Sequence, residues 1–143
     1  MPTHFGKIAL IVFAPPLRIL VVDDEPSLLD SMQIYLTRQG YDVTACRSAS
    51  SAWERFAVES ANYSLVIVDM TLNGMSAEAF IAKVSRENPR VGVLAISGYP
   101  GALDKLRESH NERVAYLQKP FTPAMLTEAV NRITQSRSRT ADQ

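Results

Sequence analysis

Apolar runs of strand length alternate along the chain with stretches in which apolar residues recur every three or four positions. "RILVV" (18–22), "YDVTAC" (41–46), "SLVIVD" (64–69), "VGVLAIS" (91–97) and "VAYLQ" (114–118) read as five strands. Between them, Leu28, Leu29, Met32 and Leu36 share one face of a first helix, and Ala49, Ala52, Trp53 and Phe56 one face of a second. Phe80, Ile81 and Val84 serve a third, Leu103 and Leu106 a shorter fourth, and Leu126, Ala129, Val130 and Ile133 a fifth. Strands that are apolar almost throughout must be buried on both faces, which predicts a parallel sheet with helices packed on either side. Five successive βα units therefore predict an α/β, doubly wound, five-stranded parallel sheet, and among the known strand orders 2-1-3-4-5 suits a chain of this length.

Two ends fall outside the pattern. In residues 1–16 the run "IALIVF" is cut off by Pro15-Pro16, which predicts an accessory or disordered extension. The polar, aperiodic "SRSRTADQ" (136–143) predicts a disordered tail with no effector domain after it, leaving residues 17–135 as the folded unit. The run Ile8–Ala14 is far shorter than the roughly 20 residues of a membrane span. Followed by two prolines, it also makes a poor signal peptide, so no membrane partner and a cytoplasmic location are expected. The single Cys46 excludes an internal disulfide. Fifteen basic residues against fifteen acidic ones, without a basic stripe, give no expectation of nucleic-acid binding.

In open parallel sheets, ligands bind outside the carboxyl ends of the strands. Strand one ends at Asp23 and Asp24, strand three at Asp69, strand four at Ser97 and strand five just before Lys119, so these side chains are expected to converge. Each alone has a plain explanation. Asp24 or Glu25 could cap the helix that opens at Pro26, Asp69 could end its strand in a turn, Ser97 could cap the helix after "GYP", and Lys119 could be a solvated charge. Together the plain explanations weaken, because carboxylates about 4 Å apart repel by about 4 kcal/mol at an effective dielectric of 20. A hard divalent cation meets that charge, and Mg2+ suits a site offering one or two carboxylates plus a phosphate.

With these residues in this order, residues 17–135 resemble the receiver domain of two-component response regulators, a flavodoxin-like fold of the single-domain, chemotaxis-regulator kind. The resemblance implies that Asp69 is the phosphoacceptor, charged by a sensor histidine kinase or a phosphotransfer protein. It implies Mg2+ held by Asp24, Asp69 and the backbone carbonyl of Thr71, with Asp23 acting through water. Ser97 would bond a phosphoryl oxygen, Lys119 would pair with the aspartate and then the phosphate, and the bond to Pro120 would be cis. Tyr116 matches the aromatic switch position, which turns inward as Ser97 moves. The changing surface would be helix 4, strand 5 and helix 5, including Leu103, Tyr116 and residues near Phe121, where a downstream protein or a second copy would dock.

After the acceptor the run departs from the family's, with Asn73 where proline is common and Ala77 where glycine is. Asn73-Gly74 still turns readily. Thr71 and Tyr99 occupy positions that in this family tune hydrolysis of the acyl phosphate. Two other readings use the same residues. An aspartyl-phosphate hydrolase of the haloacid-dehalogenase type would need an acid-base aspartate where Thr71 stands. A receiver-shaped interaction module would never be phosphorylated, against which the intact set of five polar residues argues. His4 and His110 lack metal-ligand spacing and receive no role.

Overall fold

A computed structural model describes residues 15–99, 101, 104 and 113–142, with backbone alone for 136–142. The elements are β1 (Arg18–Val22), α1 (Pro26–Arg38), β2 (Asp42–Cys46), α2 (Ala49–Val58), a 3-10 turn (Ser60–Asn62), β3 (Tyr63–Asp69), α3 (Ala77–Glu87), β4 (Gly92–Ser97), β5 (Val114–Gln118) and α4 (Pro123–Asp142). The run "IALIVF", the helix expected around Leu103 and Leu106, and His4 and His110 lie outside the described residues. The helix α4 thus corresponds to the fifth helix expected from the apolar pattern.

The strands form one sheet in the order β2-β1-β3-β4-β5, every neighbour parallel. Alternate residues of the central strands feed two separate cores. Leu20, Val22, Val66, Val68, Val93 and Ala95 pack with Ala52 and Phe56 of α2 and with Phe80, Ile81 and Val84 of α3. Ile19, Val21, Leu65, Ile67, Leu94 and Ile96 face Leu29, Met32 and Leu36 of α1 and Leu126 and Val130 of α4. Both faces are dry, which is why these strands carry no polar alternation. Each fully buried aliphatic side chain contributes about 1.5–3 kcal/mol, enough to hold the strand ends in fixed register.

Helix boundaries follow local chemistry. Ser48 and Ser76 accept the backbone N–H of Ser51 and Ala79 and start α2 and α3. Gly40, at φ +97°, ends α1 in the left-handed region with its N–H donated to the Thr37 carbonyl. Where a disordered tail is expected from residue 136, the backbone of α4 stays helical to Asp142. "SRSRTAD" contains neither glycine nor proline to stop it, so the turns of α4 before it propagate.

Gly92 marks where α4 presses on the sheet. A methyl placed on its Cα would overlap Cγ2 of Ile133, with Leu65 Cδ1 only 3.6 Å away behind it. Ile133 cannot turn that methyl aside without changing χ1, which β-branching restricts. Gly92→Ala is therefore expected to destabilise the protein by about 1–3 kcal/mol despite the lower entropy of the unfolded chain. Adding Ile133→Ala should make the pair less costly than the sum of the single changes in urea unfolding; strict additivity would refute the contact.

Candidate functional site

The parallel register brings the chemistry to one edge. Val22 lies beside Val68, Asp69 beside Ile96, and Ser97 beside Gln118, so the last residues of β1, β3, β4 and β5 end nearly level. One further ladder step pins the residue after three of these strands: Asp23 N–H donates to the Cys46 carbonyl, Met70 N–H to Ile96, and Lys119 N–H to Ser97. The sheet thereby fixes backbone positions before any side-chain interaction is counted.

Asp23, Asp24 and Asp69 each offer a carboxylate oxygen, and the three lie within 4.8 Å of one another. Asp23 and Asp69 are buried and Asp24 is partly exposed. Lys119 Nζ stands 3.1 Å from Asp69 Oδ2 and 3.9 Å from Asp23 Oδ2, and the Lys119–Pro120 peptide bond is cis. Asp69 Oδ1 takes two hydrogen bonds from Thr71, one from its backbone N–H at 2.9 Å and one from its hydroxyl at 2.8 Å. Asp23 Oδ1 accepts the N–H of Glu25 at 2.9 Å, while its Oδ2 is buried and finds no hydrogen-bond partner among the described residues.

Three carboxylates against one ammonium leave an excess of negative charge. Each ionised pair at these separations repels by about 3 kcal/mol or more at an effective dielectric of about 20. The strain falls on Asp23: burial, with the charges of Asp69 and Asp24 adding to it, pushes its carboxyl up to about 6, against the opposing pull of the Glu25 N–H and Lys119. Burial alone would lower Lys119, but the hydrogen bond and charge of Asp69, with the charges of Asp23 and Glu25, outweigh it and hold the ammonium above its usual range. An oxygen-only donor set in which one buried carboxylate oxygen accepts no hydrogen bond fits a hard cation such as Mg2+.

A sequence model of the family described as the response regulator receiver domain matches residues 19–131. The chain belongs to that family. Response regulator protein FleR of Pseudomonas aeruginosa is 31% identical over 116 residues, covering 80% of this chain and 24% of FleR. The DNA-binding response regulator MtrA of Mycolicibacterium smegmatis is 31% identical over 113 residues, covering 79% of this chain and 48% of MtrA. This receiver thus spans about a quarter to a half of the curated relatives it matches. Among solved structures, a response regulator receiver domain protein from Clostridium thermocellum superposes with a TM-score of 0.79 at 26% identity, over 87% of this chain and 98% of that one. A CheY-like receiver from Methanospirillum hungatei, with a TM-score of 0.80 at 24% identity over 87% and 98% of the two chains, shares the fold.

Of the residues read from the receiver's sequence, Asp23, Asp24, Asp69 and Lys119 come together. The capping alternative loses ground, since Glu25, the residue that precedes α1 at Pro26, makes no side-chain cap bond. Ser97 reaches the same edge fully buried, yet its hydroxyl is engaged with its own turn, accepting from Tyr99 N–H at 2.9 Å and donating to the Tyr99 carbonyl at 3.1 Å. Tyr116 is half-buried on β5 and packs against the core shared with α2 and α3. Two contacts are not readable from the sequence pattern used above: the Thr71 hydroxyl on Asp69, and the Asn73 amide on Asp24 Oδ2 at 3.3 Å. The first follows from a readable one: aspartate side chains commonly accept the backbone N–H two residues on, as Asp69 does from Thr71, and this leaves the Thr71 hydroxyl within reach of the same oxygen.

The raised Asp23 carboxyl makes stability depend on pH. With its folded value near 6 and its ordinary value 3.8, the folded chain holds this proton more tightly than the unfolded one, so stability falls as pH rises through that window. Above it, the ionised group costs on the order of 3 kcal/mol. Asp23→Asn retains an oxygen for the Glu25 N–H and removes the charge. It should raise urea stability by about 1–2 kcal/mol at pH 7.5 without Mg2+, with the gap narrowing toward pH 4.5 and on adding Mg2+. A variant less stable than the wild type at pH 7.5 without Mg2+ would contradict this.

Proposed function

We propose that this receiver accepts a phosphoryl group on Asp69 from a sensor histidine kinase or a phosphotransfer protein and signals by a change of shape. The observation that carries the proposal is the Lys119 ammonium, 3.1 Å from Asp69 Oδ2 inside a cluster of three carboxylates. In the transfer an Asp69 oxygen forms a bond to phosphorus as the phosphorus–nitrogen bond of the donor histidine breaks and the imidazole keeps the electron pair. Mg2+ would be held by Asp24, Asp69 and the Thr71 carbonyl, with Asp23 through water, and when bound it supplies positive charge to the phosphoryl oxygens. Lys119, 3.1 Å from Asp69 Oδ2, adds a second positive charge and stays paired with the product.

Ser97 would release the Tyr99 carbonyl and donate its hydroxyl to a phosphoryl oxygen. The space it leaves lets Tyr116 turn inward, so that phosphate favours one of two conformations by binding it better. The face that changes would comprise the helix expected around Leu103, β5 and α4, and it would receive a downstream protein or a second copy of the chain. The receiver would catalyse only its own phosphorylation and dephosphorylation.

Incubation with acetyl phosphate and Mg2+ is expected to add one alkali-labile phosphoryl group per chain, seen by mass spectrometry, and beryllofluoride should shift amide resonances around residues 69, 97 and 116. An inert protein would instead be an unphosphorylated interaction module. Steady turnover of p-nitrophenyl phosphate would make it a hydrolase, against which Thr71 stands where an acid-base aspartate is required.

A further inference from the structure

Asn73 sits at the tip of the β3–α3 loop, 49 positions along the chain from Asp24, and its side-chain amide donates to Asp24 Oδ2 at 3.3 Å. The loop is built to hold that tip in place. Leu72 and Met75, on either side of the turn, pack against the core shared with α2 and α3. Gly74 takes φ +88° to reverse the chain between them, and Ser76 closes the loop by capping α3. Thr71, at the near end, is tied to Asp69.

Asp24 is partly exposed and is repelled by two buried carboxylates, so solvent is the favourable direction for its side chain unless something holds it. A neutral amide does this without cancelling the charge, where a lysine or arginine would compete with a cation for the same oxygen. A carboxylate has about four lone-pair positions, and Asn73 occupies one, leaving the others open.

We infer that Asn73 is a positioning residue for the divalent cation: its amide keeps Asp24 turned toward Asp23 and Asp69 and couples the β3–α3 loop to cation uptake. The inference rests on the proposed reading of Asp24 as a ligand. Partners of this outer kind typically change metal affinity by 10–100-fold when removed.

The test is an NMR titration of the full chain with MgCl2. Asn73→Ala should weaken Mg2+ binding by about tenfold, while Asn73→Gln, which keeps an amide donor on a longer arm, should recover most of the loss. Ser76→Ala loosens the same loop without touching Asp24 and should bind Mg2+ like the wild type. With acetyl phosphate, Asn73→Ala should need about tenfold more Mg2+ for half-maximal phosphorylation and reach an unchanged maximal rate. Wild-type affinity in Asn73→Ala overturns the inference, as does an equal loss in Ser76→Ala, which would make the effect one of loop mechanics. A wild type that takes up no Mg2+ overturns the reading of Asp24 as a ligand and the inference with it, and this result is told apart by the wild-type titration alone.

Discussion

Asp69→Asn is expected to take up no phosphoryl group from acetyl phosphate at any Mg2+ concentration, while remaining folded. The substitution is nearly isosteric, and its amide oxygen can still accept the N–H and hydroxyl of Thr71 that Asp69 Oδ1 accepts. What it loses is the second oxygen, the one 3.1 Å from Lys119, and with it the nucleophile, since an amide oxygen offers no comparable anionic lone pair to phosphorus. Stability should not suffer. Removing one of three crowded negative charges relieves repulsion of about 3 kcal/mol per pair, which offsets the lost ion pair with Lys119. Intact-mass measurement after acetyl phosphate treatment checks the first claim and urea unfolding the second. Phosphorylation at the wild-type rate would place the acceptor elsewhere and dismantle the proposed mechanism.

Lys119→Met should separate two quantities that a general loss of structure would move together. Among the described residues, Lys119 is the only Lys or Arg ion-paired with these carboxylates. Its removal takes away a positive charge held beside Asp69, and by comparison with single stabilising donors elsewhere the phosphorylation rate should fall by about 10²–10³-fold. In the same variant, Mg2+ should bind more tightly, because the cation then meets the full charge of three carboxylates without a competing ammonium. The cation-free protein should lose stability, but only by about 1–2 kcal/mol, since the lysine side chain is 24% exposed and water screens part of the pair. A rate within threefold of wild type would remove Lys119 from the chemistry. Weaker Mg2+ binding would indicate collapse of the cluster.

These expectations differ in how directly they can be read from the chain. Asp23, Asp69 and Lys119 are legible because a parallel sheet delivers every strand's carboxyl end to one edge, whatever the loops do. Ser97 is legible as to place and not as to partner: its hydroxyl bonds the Tyr99 backbone two residues on, a choice made by the local turn. The end of the last helix is not legible at residue 136, because polarity signals exposure more reliably than it signals disorder, and α4 continues to Asp142 as a helix.

Apolar periodicity determined the five strands and the burial of the central three on both faces, because each inner strand must hide two faces and each helix one; the strand order followed from the few orders known for doubly wound sheets. Tertiary structure decided what depends on fractions of an ångström: the Oδ2 of Asp23 left without a hydrogen bond, the overlap waiting at Gly92, and the Asn73 amide laid against Asp24. Burial is set by an average over many contacts and so leaves a repeating mark in the sequence. A single hydrogen bond between two loops has no period, and only the folded chain brings its ends together.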